Sequence, residues 1–151
     1  MTEFNDLEEV YKRFKERGIR LTPQRRVILE YLKTCPNHPT AEEIYHYIKG
    51  RLSRVSLGTV YNTLHMLKET KVIQELSFGD LSSRYDGCPE NHYHITCEKC
   101  GKVVDFNRPL FNQIEAEAEQ KTDFVINTHR LELYGVCRDC QAVGSETGLT
   151  S

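Results

Sequence analysis

The chain has 151 residues, a formal net charge of −2 and an apolar fraction of 38%, which is enough to form small hydrophobic cores. This length suits one domain or two small ones, and no segment approaches the roughly 20 consecutive apolar residues that span a membrane. The N-terminal sequence MTEFNDLEEV has no basic start followed by an apolar run. We therefore expect no signal peptide, no membrane contact and a cytoplasmic location.

Charge is distributed unevenly between the two halves of the chain. Residues 17–71 carry ten Lys/Arg against four Glu, whereas residues 81–151 carry seven Lys/Arg against eleven Asp/Glu. A basic front half and an acidic back half indicate two lobes with different partners. The small total charge therefore does not exclude nucleic acid as the partner of the front lobe.

Hydrophobic periodicity predicts four helices in the front half. The first has apolar residues at helical spacing from Leu7 onward. Each of the other three begins at a hydroxyl residue that can cap the first turn, namely Thr22, Thr40 or Ser56. Glu43 follows Thr40 by three positions, which is the spacing of a capping box.

Beyond the fourth helix the hydrophobic period changes from that of a helix to that of a strand. Alternation over residues 72–78, a turn at 79–80 and a returning strand at 83–86 predict a hairpin. The third and fourth helices are joined by a short turn, as in a helix-turn-helix, and the hairpin has the position of a wing. The front half is thus predicted to be a winged helix-turn-helix domain.

The back half has a mixed pattern, so the whole chain is predicted to be α+β. Its predicted strands cover residues 92–96, 102–106 and 124–136, and its amphipathic helix covers residues 109–121. Within that helix we expect Phe111, Ile114 and Ala118 to face inward.

Four of the six cysteines form two CxxC pairs separated by 36 residues. Because a reducing cytosol disfavours disulfides, paired CxxC motifs indicate a metal. Four thiolates satisfy tetrahedral Zn²⁺ with no open position, so we predict a structural zinc that ties the start of the back lobe to its end. The predicted ligands are Cys97, Cys100, Cys137 and Cys140. The other two, Cys35 and Cys88, are predicted to be free thiols.

A second group of residues offers nitrogen and oxygen ligands. His92 and His94 are two apart in a predicted strand, so both side chains leave the same face. Asp105 ends the next strand, and His38 and Asp86 are more distant candidates. Imidazole with carboxylate suits Fe²⁺, Mn²⁺, Zn²⁺ or Ni²⁺, and ligand softness does not discriminate among them.

The helix over residues 56–70 is the predicted recognition helix. Its early residues should face base edges, which selects Thr59, Tyr61 and Asn62. Asn can read adenine bidentately, and Tyr or Thr can touch thymine methyl groups. Contacts to phosphate supply affinity with little sequence information. The phosphate candidates are Arg20, Arg25, Arg54 and Ser56.

The assembled pattern resembles the ferric uptake regulator (Fur) superfamily over about residues 5–141, and its peroxide-responsive branch in particular. The matching motifs are LTPQR (21–25), HPTAEEIY (38–45), SLGTVYNTL (56–64), SSRYD (82–86), HYHITCEKCGKVVDF (92–106) and YGVCRDC (134–140). The resemblance implies a dimeric, metal-dependent transcriptional repressor, not an enzyme, on two-fold symmetric, AT-rich operator DNA. It implies a winged-helix DNA-binding domain (1–84), a hinge (85–91), an α/β dimerisation and metal-binding domain (92–141) and a flexible tail (142–151).

The resemblance also implies a regulatory metal site. Three His and two Asp ligands would hold Fe²⁺ or Mn²⁺, and Fe²⁺ would let H₂O₂ oxidise His38 or His92. Iron-uptake members typically place Glu at the positions of the two aspartates. Some members have a third metal site that uses a His/Asp-rich stretch around the H-x-H motif. Here Asn91 and Tyr93 stand on either side of His92, which argues against that site, and His129 is expected to be half-buried rather than a ligand. The regulatory ligands would be His38, Asp86, His92, His94 and Asp105.

Three alternatives remain at this point. An iron- or manganese-responsive repressor would share the site but sense metal level. A non-haem iron enzyme would use two His and a carboxylate, but it would not explain the winged helix or the basic front half. A purely structural zinc adaptor would leave the five His and Asp positions without a purpose.

Overall fold

The computed structural model describes residues 6–77 and 81–146, and the chain divides between Glu90 and Asn91 into two compact units. The division falls within the segment assigned above to a hinge. None of the helices in the described ranges combines the length and the apolar character that crossing a lipid bilayer requires.

The first unit begins with four helices. They are α1 (Leu7–Glu16), α2 (Pro23–Thr34), α3 (Ala41–Lys49) and α4 (Leu57–Glu69). The predicted N-caps are confirmed: Thr22, Thr40 and Ser56 each accept a hydrogen bond from a backbone N–H in the first turn. The capping box is also confirmed, because Glu43 Oε2 accepts from the backbone N–H of Thr40 at 2.9 Å. These caps satisfy amides that would otherwise have no partner in the helix.

The four helices bury one apolar face each in a common core. Helix α1 contributes Val10 and Phe14, and the other helices add aliphatic side chains that are at most 3% exposed. This unit therefore has a core of its own, which needs no metal for burial of apolar surface. The aliphatic core residues from α2 to α4 include Ile28, Leu29, Leu32, Ile44, Ile48, Val60, Leu64 and Leu67.

A two-stranded antiparallel wing follows the helices. It pairs β1 (Gln74–Leu76) with β2 (Arg84–Asp86), and Gln74 lies opposite Asp86. The first strand is shorter than predicted because Val72 and Ile73 are buried with the helical core instead of alternating. The predicted turn at 79–80, together with Phe78, lies outside the described residues.

The second unit is a small α/β lobe. Its elements are β3 (Tyr93–Cys97), β4 (Val103–Phe106), α5 (Gln113–Thr122), β5 (Glu132–Gly135) and α6 (Arg138–Glu146). The sheet has the order β4-β3-β5, with β3 antiparallel to β4 and parallel to β5. The central strand β3 is the most buried, and Tyr93 on it is fully buried. Residues 142–146, which the sequence assigned to the tail, continue helix α6.

The long strand predicted over residues 124–136 was wrong: strand β5 covers only Glu132–Gly135. In the segment before β5, side chains bind backbone groups. Glu119 Oε1 accepts from Ile126 N at 2.8 Å, and Asn91 Nδ2 donates to His129 O at 2.9 Å. These bonds replace a sheet ladder, since each takes a backbone group that a strand would need.

The inward face predicted for the helix at 109–121 was also wrong. Helix α5 starts at Gln113, and the Phe111 amide before it donates to the Tyr93 hydroxyl. Phe111 is 46% and Ile114 50% exposed, and helix α5, every residue of which is described, buries none. Ala118 is half-buried.

The close packing of Gly87 against helix α2 yields a stability prediction. A Cβ at this position would lie 2.6 Å from the carbonyl carbon of Leu32 and closer still to its oxygen. Because backbone atoms cannot rotate away, Gly87→Ala should destabilise the unit by about 1–3 kcal/mol, the usual range for overpacking. Denaturant unfolding followed by circular dichroism measures this change. Gly50→Ala is the matched control, since a Cβ there meets nothing within 4 Å. Equal stability of the two variants would contradict the prediction.

Candidate metal centres and DNA-binding surface

The four CxxC cysteines lie together in the second unit. Their sulfur atoms are all within 4.8 Å of one another, and Cys100 Sγ is 3.7 Å from Cys137 Sγ. The first pair lies where β3 ends, and the second pair lies where α6 begins. The first turn closes through Gly101, which has a φ of 77° and donates its amide to Cys97 O at 2.9 Å. Glycine suits this left-handed conformation because it has no Cβ.

Backbone hydrogen bonds prepare this cluster for a metal. The amide of Cys137 donates to Cys97 Sγ at 3.3 Å, and with the amides of Cys100 and Lys99 it lowers the pKa of the Cys97 thiol to about 6. The Cys140 thiol donates to the Cys137 and Cys100 sulfurs, which raises its pKa to about 12. Thiolate is the form that binds metal, so metal uptake by this cluster would release thiol protons. Four sulfurs at this spacing fit a closed structural zinc site.

Two of the candidate nitrogen and oxygen ligands lie together in the first unit. His38 is 4% and Asp86 3% exposed, and His38 Nδ1 is 4.0 Å from Asp86 Oδ1. The segment before α3 runs antiparallel to β2: the Tyr85 amide donates to Pro39 O at 2.9 Å, and Arg84 Nη1 donates to His38 O at 2.8 Å. The wing strand therefore holds the backbone of both candidate ligands.

The other three candidate ligands lie together in the second unit. Asp105 on β4 stands opposite His94 on β3, and its Oδ1 is 3.4 Å from His94 Nε2 and 3.1 Å from His92 Nε2. The two imidazole rings are 4.4 Å apart between centroids. The structure thus brings two imidazoles and one carboxylate into reach of a single ion.

His129 is half-buried and bound by protein groups at both ring nitrogens. Its Nδ1 is 2.8 Å from Glu115 Oε1, and its Nε2 is 2.8 Å from the Tyr93 hydroxyl. In this arrangement Tyr93 and Glu115 satisfy the ring, so hydrogen bonding accounts for the residue without a metal.

Helix α4 presents several of the predicted DNA-contact residues to solvent. Tyr61 is 45% exposed and Asn62 is exposed beside it. Thr59 is half-exposed, and its hydroxyl shares a 3.0 Å hydrogen bond with that of the N-cap Ser56. The Tyr61 hydroxyl donates to Glu42 Oε1 on α3 at 3.0 Å, which raises the pKa of Tyr61.

The three predicted arginines also lie on the surface of the first unit. Arg20 and Arg54 are exposed, and Arg25 is half-exposed with its guanidinium donating to Arg20 O at 2.7 Å. The sequence did not indicate that Glu42 restrains Tyr61, or that Arg84 anchors His38. These partners are 19 and 46 positions apart, and no local pattern joins them.

The fold and the sites together define a class of protein. A winged helix-turn-helix is a DNA-binding architecture. Here it carries a buried imidazole and a buried carboxylate, and the second unit carries a sulfur cluster and a further His/Asp set. The chain therefore has the parts of a metal-responsive transcription regulator.

Comparison with known proteins places this regulator in a family. The sequence model of the Ferric uptake regulator family matches residues 16–134. The chain is 47% identical over 137 residues to the Peroxide-responsive repressor PerR of Staphylococcus aureus, covering 91% of this chain and 93% of the relative. The chain belongs to the ferric uptake regulator family.

Solved structures agree with this assignment. The Helicobacter pylori ferric uptake regulator Fur, described as having three functional metal binding sites, superposes with a TM-score of 0.79 at 27% identity, covering 93% of this chain and 95% of that one. PerR from Streptococcus pyogenes superposes with a TM-score of 0.53 at 32% identity over the same shares of the two chains. Regulators of this family bind operator DNA and form dimers.

The sulfur cluster yields a prediction about zinc retention. Cys137→Ser should lose bound zinc and destabilise the second unit, because structural zinc contributes directly to folding. Plasma mass spectrometry after chelator treatment and gel filtration measures the zinc, and circular dichroism measures unfolding. Cys35→Ser is the matched control, since Cys35 Sγ in the first unit donates to Asn37 O at 2.9 Å. Full zinc retention by Cys137→Ser would refute the assignment.

Proposed function

We propose that this chain is a metal-dependent transcriptional repressor that senses hydrogen peroxide through iron-catalysed oxidation of a histidine. The proposal rests on one observation: each unit carries its own imidazole and carboxylate groups, and the first unit is a winged helix. The likeness to a Staphylococcus aureus peroxide-responsive repressor supports it. A repressor that binds operator DNA would act in the cytoplasm, and we propose that location for this protein.

One regulatory ion would take ligands from both sets. His38 and Asp86 would contribute from the winged-helix unit, and His92, His94 and Asp105 from the second unit. Binding would then favour the one arrangement of the units in which all five ligands are satisfied, by its differential affinity for that arrangement. In a two-fold symmetric dimer that arrangement would set the separation of two recognition helices and so match a two-fold related operator.

The chemistry of sensing would take place on the ligands themselves. Bound Fe²⁺ would supply the redox activity that oxidation by H₂O₂ requires, whereas bound Mn²⁺ would support DNA binding without that activity. One oxygen of H₂O₂ would be inserted into a ring C–H bond of His38 or His92, with that hydrogen ending on a ring nitrogen, and the other oxygen would leave as water. The product, 2-oxo-histidine, is a poorer ligand, so the ion is lost and the operator is released. No turnover of substrate is needed.

Helix α4 would read the operator. Exposed Asn62 suits bidentate recognition of adenine, while Thr59 and Tyr61 suit contact with thymine methyl groups, so an AT-rich site is expected. Glu42 holds the Tyr61 ring in place, which lowers the entropy lost when the ring meets DNA. Phosphate contacts would come from Arg20, Arg25, Arg54 and Ser56.

The second unit would form the homodimer. Phe124 is 70% and Val125 83% exposed, and Tyr134 is 52% exposed, so several large apolar side chains of this lobe face solvent. Exposed apolar side chains in this number mark an interaction surface. A second copy of the chain would cover the face of helix α5 that its own lobe leaves exposed.

The sensing chemistry can be tested by mass spectrometry. The Fe²⁺-loaded and Mn²⁺-loaded proteins are exposed briefly to stoichiometric H₂O₂ and mapped peptide by peptide. We expect one added oxygen on His38 or His92 in the iron form alone, because only iron brings redox activity to these rings. His46, which is exposed on α3, is the internal control for general oxidation.

The alternative outcome has a definite meaning. If a site shown to contain iron leaves both histidines unmodified, peroxide sensing is refuted and the chain responds to iron or manganese level instead. Equal oxidation of His46 and the two candidate ligands would show non-specific damage and would also count against the proposal.

The dimer surface gives a separate prediction. Phe124→Asp should shift the protein toward monomer in sedimentation velocity, because it puts a charge into an apolar contact. Leu81→Asp is the matched control, since Leu81 is an exposed apolar residue of the first unit. A Phe124→Asp variant that sediments as the wild type does would exclude this residue from the dimer contact.

A further inference from the structure

We propose that Lys33 and Gln74 position the metal ligand Asp86 by anchoring the turn that follows it, residues 87–90, to the winged-helix unit. This inference rests on the proposed regulatory site and concerns how the chain holds one of its ligands. Neither residue is a ligand itself. Both act through the backbone of the turn.

The orientation of the Asp86 carboxylate depends on this turn. Its Oδ1 accepts a hydrogen bond from the backbone amide of Cys88 at 2.8 Å, two residues further on. An aspartate that bonds its own backbone in this way forms an Asx-turn, in which the carboxylate and the following peptides have one relative geometry. Whatever holds Gly87 and Cys88 in place therefore also holds the carboxylate.

Lys33 binds the first peptide of the turn. Its Nζ donates to Gly87 O at 2.6 Å and to Val72 O at 3.2 Å, so a single ammonium joins the turn to the segment after α4. The side chain is half-buried, and burial lowers the pKa of its ammonium. A cation withdrawn from water needs such partners, because burying it without hydrogen bonds is costly.

Gln74 binds the rest of the turn. Its amide Nε2 donates to Cys88 O at 3.0 Å and to Glu90 O at 2.9 Å, which uses both hydrogens of one NH₂ group. Gln74 also lies directly opposite Asp86 in the wing ladder. The residue therefore holds the ligand's strand through its backbone and the ligand's turn through its side chain.

The packing of Gly87 completes the arrangement. Its Cα lies so close to the last turn of α2 that a side chain there would collide with the backbone of Leu32. The turn is thus pressed against the same helix that carries Lys33. Hydrogen bonds join helix α2, the wing and the turn, so Asp86 is held in place within the winged-helix unit.

This arrangement should raise metal affinity. A ligand that is already oriented loses little freedom when an ion binds, whereas a loose turn must be ordered at that moment. Groups that orient metal ligands typically contribute about 10–100-fold to affinity. The expected loss on removing either anchor is therefore about tenfold or more.

The test is a Mn²⁺ titration of the zinc-loaded, full-length protein, with free Mn²⁺ followed by electron paramagnetic resonance. Lys33→Met and Gln74→Met each remove the donors at similar side-chain length. Both should raise the dissociation constant about tenfold or more, with zinc content unchanged. Lys49→Met is the matched control, since exposed Lys49 lies over the Tyr45 ring on α3. Thermal unfolding of each variant is measured in parallel.

The outcomes separate this inference from the proposed function. Variants that unfold at lower temperature but bind Mn²⁺ as the wild type does would show a purely structural role and overturn the inference. Tighter binding by Lys33→Met would also overturn it, because repulsion between ammonium and metal would then dominate. Gln74→Met carries the test if Lys33→Met does not fold. If instead a His38→Ala variant binds Mn²⁺ as tightly as the wild type does, the proposed regulatory site is refuted.

Discussion

The sulfur cluster is the interaction on which the second unit depends most. Few side chains of this lobe are fully buried, and helix α5 contributes none of them. The cluster brings the end of β3 and the beginning of α6 together, so it links two elements that are distant in sequence. A thin core of this kind gains stability from metal coordination that apolar burial cannot supply.

The first unit is built on the opposite principle. Its helices bury a continuous aliphatic core, and its candidate metal ligands are held by backbone pairing rather than by packing alone. Strand β2 is the shared element, because it forms the wing, carries Asp86 and pairs with the segment that carries His38. A change at either ligand is therefore a change at the wing. This gives a physical route from the proposed metal to the DNA-binding surface.

Local signals predicted the parts of the fold that depend on nearby residues. The hydroxyl N-caps at Thr22, Thr40 and Ser56 were readable because each bonds an amide within three residues. The sequence did not reveal that most of 124–136 is not a strand. Glu119 and Asn91, which lie outside this segment, form hydrogen bonds with its backbone groups. The spacing of apolar residues predicted an apolar face on α5, but it did not predict that this face is exposed. Periodicity does not tell which partner covers a face.

The sequence by itself determined the family, the two CxxC pairs and the candidate His and Asp ligands, because these depend on residue type and spacing. The tertiary structure decided how they are held. It placed Arg84 on the His38 carbonyl, Glu42 on the Tyr61 hydroxyl, and Lys33 with Gln74 around the turn after Asp86. These hydrogen bonds join residues 14 to 54 positions apart, and the tertiary fold is what brings such partners together.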